Sequence, residues 1–288
     1  MTITRDVTVV CGGGGIWGVA WMTGLVAGLA DAGIDIRQAC TFIGTSAGAV
    51  ISGQLTSILS TEELYQRQVD PAKQRREIPP APGALESMVD LMRRPWPSNA
   101  AKLRAVCDLA EAAQTISRID RLDDIIERLG LPALEWPDKK LSITAVDVAT
   151  QELVAFTAQS GISLTDAVTA SCAVPGVWPT AEVGGRYYID GGAWKTAENA
   201  HLAQGAKWVL ILAPMGAISG AALGGLSGLT ADVAALKEQG SEVILISADE
   251  ISLRAMGGRP LDPATRKPAA EAGKLQGVVE AARLQSWF

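Results

Sequence analysis

The chain has 288 residues, 48% hydrophobic and 19% charged, which excludes disordered and collagen-like classes and allows a large buried core. Its formal net charge of −6 gives no electrostatic footprint for DNA or RNA, so no nucleic-acid partner is expected. Cys11, Cys40, Cys107 and Cys172 follow no ligand or disulfide spacing, and His201 is the single histidine, so neither structural zinc nor a disulfide framework is expected.

After Met1-Thr2-Ile3-Thr4-Arg5-Asp6 the chain runs straight into a strand pattern, Val7–Cys11. No charged region leads into a long apolar stretch there. The longest apolar runs, such as Trp208–Ala213, fall far short of the roughly 20 residues that span a bilayer, and the expected location is the cytoplasm. Further strands are predicted at Thr41–Gly44, 141–147, 153–157, 187–190, Trp208–Ala213 and Glu242–Ser247. Helices are predicted to start near Gly18, Ala47, Thr61, Asp120, Ser163, Thr196, Thr230 and Pro263. Short apolar runs alternating with helical patterns imply an α/β fold with a mostly parallel central sheet. The last helical segment, at about 263–284, is mixed in charge and is expected to pack on the outside.

One stretch breaks this rhythm. Residues 70–97 hold Pro71, Pro79, Pro80, Pro82, Pro95 and Pro97, with Lys73, Arg75, Arg76, Arg93, Arg94 and Trp96 among them. Proline at that density interrupts regular elements, so a loop-and-short-helix excursion is predicted. It is either a solvated insertion or a basic, partly apolar lid that approaches anionic lipid. The one compositionally simple tract is the Gly/Ala/Leu-rich stretch at 218–229.

Three motifs carry chemistry. Gly12-Gly13-Gly14-Gly15-Ile16-Trp17-Gly18 follows the first strand and opens a helix. Read from Gly13 it fits the dinucleotide fingerprint, but that fingerprint expects an acid at the end of the second strand, and here the strand ends in Thr45-Ser46. What remains is a run of backbone N–H groups able to point at one anionic oxygen near a helix N-terminus. Gly44-Thr45-Ser46-Ala47-Gly48 fits G-x-S-x-G between a strand and a helix, the context of a nucleophile elbow. Asp190-Gly191-Gly192 ends a short strand, so a carboxylate stands at the same strand-end edge as the other two.

With Ala170-Ser171-Cys172-Ala173-Val174-Pro175-Gly176-Val177-Trp178-Pro179, these motifs resemble the patatin-like phospholipase family. The family shows a glycine-rich loop, G-x-S-x-G, A-S-x-A-x-P-x-x-F-x-P and D-G-G/A in this order; here tryptophan takes the phenylalanine place. The likeness runs from Val7 to about Pro214. It implies a three-layer α/β sandwich with a mostly parallel sheet and a Ser-Asp dyad without histidine, hydrolysing carboxylic esters of lipids through an acyl-serine. By position, Ser46 is the nucleophile, Asp190 the base, and the Gly14 and Gly15 amides the oxyanion hole. Gly13, Gly18, Gly44, Gly48, Gly191 and Gly192 support the motifs, and Asn199 resembles an asparagine that many members carry downstream. The resemblance implies no metal and no organic cofactor.

The expected partner is a lipid or small ester substrate, with peripheral membrane contact and oligomeric state left open, on one domain covering 1–288. Trp17 is the departure: members usually carry lysine or arginine there, where a cation would add positive potential near the oxyanion. The alternatives are a catalytically weak or inactive patatin-fold lipid-binding or regulatory protein and, third, a dinucleotide-binding oxidoreductase. Cys11 and Cys172 read as buried core residues, and His201 as a surface histidine in a helix from Thr196 to Gln204.

Overall fold

The computed structural model describes residues 6–75, 77–131, 135–216 and 227–288. Arg76 and most of the 218–229 tract lie outside the described residues. The elements of the first half are β1 (Val7–Cys11), α1 (Gly15–Asp31), β2 (Thr41–Gly44), α2 (Ala47–Leu55), α3 (Thr61–Val69), α4 (Ala84–Arg93), α5 (Asn99–Ala112) and α6 (Arg118–Leu129). Then come β3 (Lys140–Asp147), β4 (Leu153–Phe156), α7 (Leu164–Ser171), β5 (Ala181–Val183), β6 (Arg186–Asp190), β7 (Trp208–Ala213), α8 (Ser227–Glu238), β8 (Glu242–Ser247), α9 (Glu250–Met256) and α10 (Arg266–Leu284).

Hydrogen bonds connect the strands along the path β5-β6-β3-β2-β1-β7-β8, with β4 also paired to β3. The run from β3 through β2, β1 and β7 to β8 is parallel, whereas β4 and β6 run antiparallel to β3. Period-two alternation sorts the side chains to opposite faces. Val9, Leu210 and Leu212 join the core under α1, α2 and α10, while Val10, Val209 and Ile211 join a second core with Leu229 and Leu236 of α8. The sheet is therefore the middle of three layers.

The register of β3 determines where the site forms. β4 and β6 both pair with Ala145 and Val146, so they occupy opposite edges of β3. β2 and β4 both pair with Ile143, so they too are on opposite edges. It follows that β2 and β6 use successive stretches of one edge and run toward each other. Their C-terminal ends meet over Thr144: its Oγ1 is 2.7 Å from Thr45 Oγ1, and a Cβ on Gly191 would lie 2.4 Å from that same oxygen.

Three expectations are corrected, and the short helix expected in the excursion is located. The helix from Thr196 is a single 3-10 turn, Ala200–Ala203, because Asn199 takes a left-handed φ of 51° that ends any α-helical run. The proline-rich excursion encloses a regular helix, α4, and α5 follows directly: the prolines flank α4, and Ser98 caps α5. Arg75 within the excursion turns inward to Glu77 and Asp124. Finally, α10 is packed into the core along α1. Gly24 and Gly28 of α1 face Gly273 and Gly277 of α10 so closely that a Cβ on Gly24 or Gly28 would lie 2.0 Å from a backbone oxygen of α10.

Candidate active site

Ser46 lies on the sharp turn between β2 and α2, with φ 55° and ψ −116°, a positive-φ conformation held by its surroundings. The flanking glycines permit the turn to close: a Cβ on Gly44 would lie 2.6 Å from Gly48 O, and one on Gly48 would lie 1.8 Å from Cys11 O. The segment after α7 fixes the Ser46 backbone from the other side. The Ser46 amide donates to Ser171 Oγ at 2.8 Å, and the Cys172 thiol donates to Ser46 O at 3.4 Å. Burial pushes that thiol up to about 12, consistent with a core residue rather than a nucleophile.

Asp190, at the end of β6, faces Ser46. The Ser46 hydroxyl interacts with its carboxylate, and the Gly192 amide donates to Asp190 Oδ1 at 2.8 Å. Burial raises the Asp190 pKa to about 6, opposed by the Ser46 and Gly192 hydrogen bonds and by the positive charge of Arg121. The carboxylate is thus mostly ionised at neutral pH and close enough to neutrality to accept a proton.

The glycine loop borders the same space. Gly12 donates to Leu212 O at 2.9 Å and Gly13 to Ala197 O at 2.8 Å, so these two amides anchor the loop. Among the described residues no backbone acceptor takes the Gly14 or Gly15 amide. Both stand at the N-terminus of α1, where the helix dipole favours an anion. Gly15 has φ +63°, a conformation glycine adopts without strain. Gly13 sits against the Ser46 side chain, while a Cβ on Gly18 would meet only ordinary contacts, so its glycine is not sterically demanded.

A polar latch that the motifs do not reveal joins the two strand ends. Buried Asn199 donates through Nδ2 to Gly191 O at 3.1 Å and to Thr45 Oγ1 at 3.3 Å. It thereby ties the residue before Ser46 to the residue after Asp190. Sequence order hinted at Asn199, but Thr45 and Thr144 could be found only from the strand register.

The site opens into an apolar cleft of about 140 Å³. Leu85, Met88 and Met92, on one face of α4, form its outer wall, so the excursion covers the cleft. Trp17 is absent from this lining. It is fully buried and stacks on Trp21, with ring centroids 6.3 Å apart. The cation near Ser46 comes instead from α6, whose Arg121 and Arg128 line a small cavity with Ser46, Gly15 and Cys172.

His201 stands apart, its Nδ1 3.6 Å from Asp232 Oδ2 and its ring against Trp194. Among the described residues, no group of three or more His, Cys, Asp or Glu side chains could hold a metal ion, and no helix is long and apolar enough to cross a membrane.

The sequence model of the family described as Patatin-like phospholipase matches residues 9–200. No curated protein matches the chain. The crystal structure of VipD from Legionella pneumophila is similar with a TM-score of 0.50 and 15% identity, covering 97% of this chain and 67% of that one. The crystal structure of the type III effector protein ExoU aligns with a TM-score of 0.41 and 15% identity, covering 97% of this chain and 53% of that one. At this identity the likeness to VipD is one of fold, an α/β architecture with a mostly parallel central sheet. The family match covers most of the chain and contains every motif of the site, and the chain belongs to the patatin-like phospholipase family, a family of lipid hydrolases.

Proposed function

We propose that this chain, as one domain, hydrolyses carboxylic esters of lipids through an acyl-serine formed on a Ser46-Asp190 dyad. The observation that carries the reading is the Ser46 hydroxyl facing a buried carboxylate whose pKa burial has raised to about 6. In the first half-reaction Ser46 Oγ bonds to the ester carbonyl carbon as its proton passes to Asp190. The oxygen of that carbonyl becomes an oxyanion held by the Gly14 and Gly15 amides at the N-terminus of α1. Collapse expels the alcohol, which takes the proton from Asp190. In the second half, Asp190 takes a proton from water, the hydroxide attacks the acyl carbon, and Ser46 recovers its proton as the acid leaves.

The cleft under α4 suits an acyl chain, because Leu85, Met88 and Met92 offer it an apolar wall. Arg93 and Arg94 are exposed at the end of α4 and suit peripheral contact with an anionic membrane surface. The alternative of an inactive lipid-binding protein drew on Trp17. That side chain is buried in the core and lines neither cavity at Ser46, which favours the active reading.

The test is covalent labelling with a fluorophosphonate. The expected result is labelling of the intact protein at Ser46 and none in a folded Ser46→Ala variant. Labelling that persists in Ser46→Ala would remove the nucleophile assignment.

A further inference from the structure

Beside the small cavity at Ser46, four arginines converge on two buried carboxylates. Glu77 accepts from Arg75 at 3.3 Å, from Arg128 at 2.6 Å and from Arg266. Asp124 accepts from Arg75, from Arg121 and, at 3.2 Å, from Arg128. The remaining acid in contact, Glu127, is 3.2 Å from Arg75 and largely exposed. A purely structural network would balance its charges and fill its space, because surplus buried charge is costly. This cluster does neither. Among the described residues the guanidinium groups outnumber the acids, and a cavity of about 210 Å³ runs along Arg75, Arg128 and Arg266, with Arg67 and Lys73 also in its lining.

Polar groups at the cavity are unsatisfied as well. Among the described residues Arg128 Nε and Gln54 Oε1 have no hydrogen-bond partner, and Gln54 is only 2% exposed. Burial, followed by repulsion from neighbouring arginines, lowers the pKa of Arg121 and of Arg266 to about 10. The cavity shares Ile16, Val19 and Arg128 with the small cavity that contains Ser46. The two spaces therefore adjoin across residues of α1 and α6.

We infer that the cavity formed by Arg75, Arg128 and Arg266 is a phosphate-binding subsite that seats the phosphoryl group of an anionic ester lipid while its carbonyl lies at Ser46. Guanidinium forks match phosphate oxygens in geometry and charge, and a phosphate would supply the missing counter-charge. In a glycerophospholipid the phosphate and the ester carbonyl are only a few bonds apart, as the shared wall requires. The inference rests on the hydrolase reading for the carbonyl, but not for the phosphate.

The experiment separates those two. Inorganic phosphate and glycerol 3-phosphate are titrated into the Ser46→Ala protein, which cannot turn over, while Tm is followed. At saturation both should raise Tm by several degrees, since a ligand that binds only the folded state stabilises it. Gln68→Glu places a carboxylate in the same buried lining, close in size to the original amide. It should abolish the phosphate-dependent shift while Tm in phosphate-free buffer is unchanged or higher. The exposed rim change Lys73→Glu should weaken phosphate binding by a smaller factor.

In the Ser46 background, Gln68→Glu should lower kcat/KM on phosphatidic acid relative to p-nitrophenyl butyrate by at least about tenfold, the worth of a charge-assisted hydrogen bond. Phosphate that competes with phosphatidic acid identifies the lipid headgroup as the source. Phosphate that changes kcat without competing identifies a soluble phosphate and overturns the seating of a lipid headgroup. No Tm shift with either phosphate, or an equal shift in Gln68→Glu, overturns it. A phosphate shift in a protein without esterase activity would leave the subsite standing and remove only the hydrolase reading.

Discussion

The loop at Gly12–Gly15 and the seam between α1 and α10 both depend on glycine, and α1 belongs to both. In the loop, glycine allows the backbone itself to act as the ligand. Gly15 takes a positive φ, and among the described residues the Gly14 and Gly15 amides have no backbone acceptor at the end of a helix. In the seam, the glycines are ordinary helical residues whose missing Cβ atoms let two backbones approach. A Cβ on Gly28 would lie 2.0 Å from Lys274 O, and one on Gly277 would lie 2.2 Å from Leu25 O. One region uses glycine for chemistry and the other for packing. The seam fixes the body of the helix whose first residues carry the loop.

That contrast predicts separable losses, the largest at the carboxylate that the loop faces. Asp190→Asn should lower turnover by about 10²–10⁴, the usual worth of a positioned base. It should also stabilise the protein at neutral pH, and the sign follows from the raised pKa. The native Asp190 holds its proton up to about pH 6, whereas an unfolded aspartate loses it near 3.8, so stability falls as pH rises through that window. The buried charge then costs about 3 kcal/mol at pH 7, from roughly two pKa units at 1.36 kcal/mol each. Asparagine removes that cost and can still accept from the Gly192 amide. Tm measured at pH 7 and pH 4 should rise only at the higher pH; a fall at pH 7 would contradict the assigned burial cost. Wild-type activity should fall as the pH drops through about 6, because the base is then protonated.

The next two substitutions set the loop directly against the seam. Gly14→Ala would bring a Cβ to 2.8 Å from Gly18 Cα and 2.9 Å from Pro214 Cβ, tilting the donor amides. Turnover should fall by about 10²–10³, the cost of losing one oxyanion donor. Gly28→Ala should act in the opposite way. Overpacking against the α10 backbone costs up to about 3 kcal/mol, of which about 1 kcal/mol is returned by alanine's better helix propensity. Tm should drop by several degrees while kcat stays close to wild type, because the start of α1 is held independently by the bond from the Trp17 amide to Pro260 O at 3.0 Å. A kcat loss in Gly28→Ala comparable to that in Gly14→Ala would mean that the seam also tunes the loop.

The same contrast explains what the sequence revealed. The strand bounds at Val7–Cys11, Thr41–Gly44 and Trp208–Ala213 were legible because strands buried on both faces read as apolar runs, and Glu242–Ser247, a half-buried edge strand, because Val243–Ile246 is an apolar run. The candidate site was legible because its glycines, Ser46 and Asp190 lie in short local motifs. The seam was not, since Gly24, Gly28, Gly273 and Gly277 look unfavourable within helices until the two helices are placed together. Neither was the arginine cluster, whose members come from positions as distant as Arg75 and Arg266. The short helix expected in the excursion lacked bounds because the prolines were counted rather than located: they flank Ala84–Arg93 and leave its interior free. Trp17 misled in another way, because one position in a motif says nothing about which way its side chain points.

The smallest expected effect belongs to His201, the one residue that could have made a conventional triad. It follows Asn199, whose side chain latches the two strand ends together, yet His201 itself lines neither cavity containing Ser46. Its neighbours are Asp232 and Trp194, and its side chain is 34% exposed. A partly exposed pair of this kind contributes at most about 1 kcal/mol, so His201→Ala should lower Tm slightly if at all. Turnover should stay within about twofold of wild type. The acid limb near pH 6 should also remain in His201→Ala, because it reports Asp190. That pH profile is the sharper measurement, since a limb carried by Asp190 survives loss of the imidazole. A folded His201→Ala protein as inactive as Ser46→Ala would replace the dyad with a triad and leave Asp190 as the group that orients an imidazole.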